Sequence, residues 1–340
     1  MSEKFLIGTY TKKASQGIYG VTLNHETKQL SPVWVVAQSQ KPAYLQTNGT
    51  TIFSVKQDGE QGGVATYTID GDQATLVDTN LSVVAPPAYV AVDEQRHLLY
   101  SANYHAGTVT VYQINADLTL TQTDEVKHDG VTGPKPEQDK PHAHYADLTP
   151  DGRLVVCDLG LDLTVVYDVS ADGKLTFVSN YHHEAGFGTR HLTFSPDGKV
   201  AYVLGELGSQ LDVLNYDQAT GTFTHQQSIS TIPADWTAHN GAAAIHITKD
   251  GKFIYTTNRG ENTIAVFAVQ ADHSVKHIQS ISTEGDFPRD FDLSQDEAFL
   301  VASNQESDNL TLYTRDAVTG LLTMVQKDVA CPEPVCVKQW

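Results

Sequence analysis

Apolar and polar residues alternate along this chain in short runs, and the runs return in the same order many times. The clearest copies are "AHYADLTPDGRLVVCDLGLDLTVVYDV", "TRHLTFSPDGKVAYVLGELGSQLDVLNYD", "AAIHITKDGKFIYTTNRGENTIAVFAV" and "RDFDLSQDEAFLVASNQESDNLTLYTR". Two weaker copies precede them, "PAYLQTNGTTIFSVKQDGEQGGVATYTI" and "AYVAVDEQRHLLYSANYHAGTVTVYQI". Each copy holds an alternating run, a Pro-Asp-Gly-like turn, a second run rich in Val, Leu and Tyr, a polar bend and a third run. A fourth run follows, such as "KLTFVSNYHH". Period-two alternation broken by Gly, Asp and Asn marks strands and hairpins, and helical periodicity is nearly absent. A four-stranded unit repeating every roughly 45 to 55 residues has the spacing of propeller blades, whose neighbouring sheets bury one another's faces.

The innermost strands of the copies start at Ala43, Ala88, His144, Arg190, Ala243 and Arg289, which gives six. A seventh is needed, because residues 4–37 supply only three strands. The segment "CPEPVCVKQW" has the alternation of an innermost strand and completes that set. The sequence therefore predicts an all-β, seven-bladed β-propeller with four-stranded antiparallel blades. It forms a single domain over residues 1–340, closed where the C-terminal strand joins the N-terminal three. Closure removes exposed sheet edges.

In a blade the first strand leaves one rim of the central channel and the second returns to it. Strand-one starts and strand-two ends thus meet at the same mouth. In "GTRHLTFSPDGKVAYVLGELGS" the turn is Asp197-Gly198; Arg190 lies seven residues before it and Glu206 eight after, so the two are cross-strand neighbours. The same offsets give Tyr104, Gly160, Arg259 and Gln305 as the other strand-two ends. His144, Arg190, Glu206, Arg259 and Arg289 then converge from blades 4 to 7, a polar cluster of the kind found in small-molecule sites. An exposed Arg190–Glu206 pair by itself would be worth only about 0.2 to 1 kcal/mol; charges at equivalent repeat positions argue for more. The long connections "KHDGVTGPKPEQDKPHAH" and "STIPADWTAHNGA" lie on the same face, where Trp236, His142 and His239 are available to wall a pocket.

Composition narrows the partners. Apolar residues at 40% and charged residues at 19% suit a soluble globular domain. No apolar stretch has the length of a membrane span and the N-terminal residues lack a signal core, so the expected location is cytoplasmic, with no membrane partner. A net charge of -19 without a basic run argues against nucleic acid. It also means that an anionic substrate must find local Arg or Lys. Cys157, Cys331 and Cys336 have no metal-ligand spacing and are expected to be free thiols. His142 and His144, two apart, are a possible metal pair lacking a third ligand; no metal or cofactor is expected. No G-x-S-x-G, Walker, G-x-G-x-x-G or H-E-x-x-H motif occurs, and the mouth offers Arg and His in place of the acidic ring a calcium-dependent lactonase needs.

The stretches "G-x-RH-x-x-F-x-PDG-x-x-AY-x-x-x-E" from Gly188 to Glu206, "HYADLTPDG" from His144, "IHITKDGKFIYTTNRG" ending near Arg259, and "PRDF" with Arg289 resemble the seven-bladed lactonase family. That family contains the cycloisomerase-type 6-phosphogluconolactonases and the 3-carboxymuconate lactonizing enzymes of fungi. The resemblance runs end to end, and the sixteen-residue Arg-to-Glu spacing is its most specific element. It implies His144, Glu206, Arg190 and Arg259 as the catalytic set, with Arg289 a further anion ligand beside Tyr104 and Gln305 in substrate binding. It also implies hydrolysis of 6-phosphogluconolactone, a small anionic lactone, in the pentose phosphate pathway, by a monomer or weak homodimer. A muconate-type cycloisomerase or a lactonase for another sugar acid is the alternative, and a non-enzymatic interaction scaffold the second. Relatives often carry an acidic residue where this chain has Ala244. In one assignment Glu206 takes the proton of water and His144 protonates the departing ring oxygen; the reverse assignment stays open.

Overall fold

A computed structural model describes residues 2–340, Val83 by its backbone alone. It is a ring of seven sheets, every pairing antiparallel. Blades 2 to 7 each use four consecutive strands, with inner strands Leu45–Thr47, Tyr89–Asp93, Ala143–Leu148, Thr189–Phe194, Gly241–Ile247 and Pro288–Leu293. In blade 1 the inner strand is Pro334–Gln339, which pairs with Ser2–Thr9; Phe5 faces Gln339 and Gly8 faces Cys336. The predicted ring closure is thus present. The outer strand of blade 1 is split into Gln29–Leu30 and Trp34–Gln38, both paired with Gly17–Asn24. Pro32, which has no N–H to give a ladder, falls in the break.

The core lies between blades. Val301 and Leu312 of blade 7 pack with Phe5, Ile7 and Val337 of blade 1, so the closing strand is cemented by apolar burial as well as by its ladder. Tyr100, Tyr202 and Tyr255 are fully buried at equivalent positions of the second strand, and Tyr313 is fully buried on the third strand of blade 7. Their hydroxyls donate to Asp93, His273, Gly320 and Ser282 respectively, which satisfies a polar tip inside an apolar wall. The inner hairpin turns place Gly152, Gly198 and Gly251 in the left-handed region (φ +84°, +71° and +70°), where a side chain is normally penalised. Glu297 takes the same place in blade 7 at φ +55°.

Candidate active site

Four interruptions of the inner-strand ladder build the mouth of the channel. In blade 5 Thr189 pairs with Gly205 and His191 with Leu204, which leaves Arg190 as an extra, bulged residue. The same bulge falls at His144 in blade 4, at Ala243-Ala244 in blade 6 and at Arg289 in blade 7. A bulge re-aims side chains and breaks the alternation of faces. Consecutive residues Arg190 and His191, and Arg289 and Asp290, therefore all line one cavity of about 470 Å³.

Glu206 is the centre of that cavity's electrostatics. Its Oε1 lies 2.9 Å from Arg259 Nη2 and its Oε2 lies 2.9 Å from Arg190 Nε, although the Arg190 N–H does not point along that line. Arg190 also donates through Nη1 to the carbonyl of Ala243. Arg259 donates to the carbonyls of Gly241 (3.1 Å) and Ala242 (3.3 Å) and lies over the Phe287 ring. The alanine of blade 6 thus serves the site through its backbone. Burial raises the affinity of Glu206 for a proton, but Arg259, Arg190 and Arg289 outweigh it and hold the carboxylate below the ordinary Glu range. Burial and the like charge of Arg259 draw Arg190 down to about 9.

His144 is 4% exposed, and its Nδ1 has no hydrogen-bond partner. Burial, then Arg190, His191, Arg289 and Arg259, push its pKa well below the ordinary imidazole value. His191, its neighbour at 5.1 Å between ring centroids, is depressed first by burial and then by Arg190 and His246, and its Nε2 is likewise unpartnered. Both imidazoles are neutral at neutral pH. Tyr44, which lines the cavity, stacks on Tyr89 at 4.3 Å, and Tyr89 meets Tyr145 at a tilt with centroids 4.5 Å apart.

The connection preceding blade 4 is fixed by buried polar contacts. Asp158 accepts from the backbone N–H groups of His142 (2.8 Å) and Leu161 (3.1 Å), and lies 2.7 Å from His128 Nδ1. Asp162 accepts from the N–H groups of Gly186 and Gly188 at 2.8 and 2.6 Å, which sets the chain two residues before Arg190. Tyr104 stands at the rim, stacked on His142 at 4.0 Å and edge-on to His144 at 5.9 Å.

Six of the predicted site residues, His144, Arg190, Glu206, Arg259, Arg289 and Tyr104, are thus brought to one cavity. Gln305 is not among its lining residues; its Nε2 turns to Glu306. Gly160 is displaced by one position, since Leu159 donates to His142 O as Glu206 donates to Gly188 O. The cause is a turn one residue shorter: Leu148 pairs with Leu154, whereas Phe194 pairs with Ala201. His142 is no metal partner for His144, because its Nδ1 lies 2.7 Å from Tyr104 O and its Nε2 2.8 Å from Asp139. Trp236 and His239 lie outside the cavity lining, His239 being exposed. Ala244 is fully buried in the apolar cluster with Tyr255 and Phe291, where its methyl packs blade 6 against blade 7. The lining residues Tyr10, Lys12, Lys41, His191 and Asp290 escape the sequence offsets; adjacency to Arg190 and Arg289 was the one signal for His191 and Asp290.

Comparison with known proteins agrees with this geometry. A protein from Lactobacillus plantarum is 55% identical and superimposes with a TM-score of 0.98 over 100% of both chains. The periplasmic gluconolactonase of Pseudomonas aeruginosa superimposes with a TM-score of 0.93 at 28% identity, over 100% of this chain and 99% of that one. A Bacillus subtilis protein named 6-phosphogluconolactonase is 42% identical over 339 residues, 98% of this chain and 97% of its own. Residues 4–339 match the family described as lactonase, 7-bladed beta-propeller, and the chain belongs to that family.

Proposed function

We propose that this protein hydrolyses the lactone of a sugar acid, the first candidate being 6-phosphogluconolactone, after which the Bacillus subtilis relative is named. The observation that carries the reading is the partly buried Glu206 carboxylate clasped by Arg190 and Arg259 beside the neutral His144. Ring opening needs a proton taken from water, charge stabilisation on the carbonyl oxygen, and a proton for the departing ring oxygen.

The lowered pKa of Glu206 favours neither of the two assignments but a third, in which His144 serves first as base and then as acid. Glu206 is doubly ion-paired and is a weak base, so it acts by holding the two guanidiniums rigidly in place. The neutral imidazole of His144 takes the proton as water attacks the carbonyl carbon. Arg190 and Arg259 stabilise the oxygen that becomes negative. When the carbon–oxygen bond of the ring breaks, the imidazolium returns its proton to the alkoxide, giving the open acid. A bound anion offsets the surrounding cations and restores basicity to His144 when substrate is present.

A coupled assay for 6-phosphogluconate, corrected for spontaneous hydrolysis, tests this. Turnover above the spontaneous rate is expected, with a loss of about 100-fold or more in His144→Ala. No acceleration by the wild type overturns the reading, and conversion of 3-carboxymuconate in its place would move the chain to the cycloisomerases.

A further inference from the structure

Three cations lining the cavity have no carboxylate in contact. Lys12, Lys41 and Arg289 line it, and among the described residues none has a carboxylate oxygen within 4.0 Å. Among the described residues every arginine except Arg289 has a carboxylate oxygen within 4.0 Å, so the Arg289 guanidinium at the cavity is the exception among the arginines. Neighbouring Lys13, which is outside the lining, does find partners in Glu306 and Asp308 at 3.8 and 3.7 Å.

The placement is built. Tyr10 carries two of the charges on its ring, with Lys12 Nζ at 4.4 Å and Arg289 Cζ at 5.4 Å from the centroid. The backbone of the Lys12 loop is clamped by Glu333, which is 3% exposed. Its carboxylate accepts from the N–H groups of Lys12 (2.9 Å), Lys13 (2.8 Å) and Ser15 (3.3 Å), and its carbonyl from that of Tyr10 (3.1 Å). A buried carboxylate is thereby spent on the loop's backbone, leaving the Lys12 ammonium uncompensated. Lys41 is held at φ +48°, a conformation unfavourable for a side-chain-bearing residue, and its N–H donates to Thr11 Oγ1 at 3.1 Å. The backbones at residues 12 and 41 are thus fixed beside the same cavity as Arg289, whose charge also reaches Glu206.

We propose that Lys12 and Arg289, held against Tyr10, together with Lys41 in the same cavity lining, bind a dianionic phosphate monoester and make the protein selective for phosphorylated over unphosphorylated lactones. This rests on the lactone-hydrolysis reading above and extends it to the substituent remote from the reacting carbonyl. Three converging charged donors suit the oxygens of a phosphate, whereas a neutral hydroxymethyl group would leave them unmatched.

The test compares kcat/KM for 6-phosphogluconolactone with that for gluconolactone in the wild type, in Lys12→Ala/Lys41→Ala and in Lys13→Ala. The phosphorylated-to-unphosphorylated ratio should fall about 10- to 100-fold in the double variant and stay at the wild-type value in Lys13→Ala. An unchanged ratio in the double variant, or a wild type indifferent to the phosphate while turning over both lactones, overturns the phosphate site and leaves lactone hydrolysis standing. Calorimetric binding of 6-phosphogluconate against gluconate separates the two ideas further. A protein that hydrolyses neither lactone yet binds 6-phosphogluconate more tightly, with the preference lost in the double variant, keeps the site and loses the proposed reaction. No preference in that titration overturns the site.

Discussion

At the scale of single residues, Glu206 matters through the two buried guanidiniums it pairs, although its own carboxylate is only partly buried. Replacing it with Gln keeps the shape and removes the charge, leaving Arg190 and Arg259 buried against each other. Stability should drop by about 3 kcal/mol, since removing one member of a buried ion pair strands its partners. kcat should fall by about 100-fold or more, because the guanidiniums lose their fixed aim. Urea unfolding and the coupled assay read the two effects separately, and a variant with normal turnover would remove Glu206 from the mechanism. The proton-accepting role proposed for His144 sets the sign expected of the pH profile. Activity needs the neutral imidazole, whose affinity for protons is lowered by burial and four neighbours. kcat/KM measured on free enzyme should therefore hold constant as pH falls through 6.5, the ordinary histidine value, and decline only further down. A decline centred at or above that value would contradict the assignment. Arg190 and Glu206 were legible because a hairpin of fixed length converts a count of sixteen residues into a contact. His191 was not, because strict alternation points it away from Arg190, and the bulge that turns both into the cavity leaves no mark in the sequence.

Strands and turns set the precision of these contacts. The inner-strand bulges recur at His144, Arg190 and Arg289, so the blade itself supplies a pedestal and each copy chooses what to place on it. The pedestal of blade 5 is steadied from outside by Asp162, which binds the N–H groups of Gly186 and Gly188. Asp162→Ala takes the acceptor from three buried donors, the N–H groups of Gly186 and Gly188 and the Gln138 amide, at a cost of about 3 kcal/mol or more. The strand entering Arg190 should loosen, lowering kcat about 10-fold in protein whose circular dichroism is unchanged. Equal kcat in that variant would show that the loop does not position the arginine. The number and order of strands could be read from alternation and turn residues. Gly160 was misplaced by a turn that is one residue shorter than its sisters, and Gln305 by a side chain that folds back onto Glu306. Strand counting fixes backbone positions and says nothing of where a flexible amide will turn.

The whole molecule adds a dependence on pH that no single blade has. His144, His183 and His191 are buried and have lowered proton affinity in the folded chain, each by burial first. The unfolded chain binds more protons below its ordinary histidine value of about 6.5, so stability falls as pH drops from there towards the lowered folded values. Glu206 and Asp212, depressed net of burial by their partners, add a loss of the same sign at more acidic pH. Urea midpoints should decrease between pH 7.5 and 5.5, and His191→Gln should flatten that slope; a midpoint independent of pH would exclude neutral buried imidazoles. The ring closure was readable because residues 4–37 lacked one strand, and the tail had the matching alternation. The rim of lysines was not, because Lys12 and Lys41 sit in connections that follow no repeat. That closure has a consequence for the cavity itself. Val335, on the closing strand, and Tyr10, just beyond the first strand, both line it, so its wall is assembled from opposite ends of the sequence. A variant that weakens the pairing of Pro334–Gln339 with Ser2–Thr9 should therefore open the cavity as well as the ring.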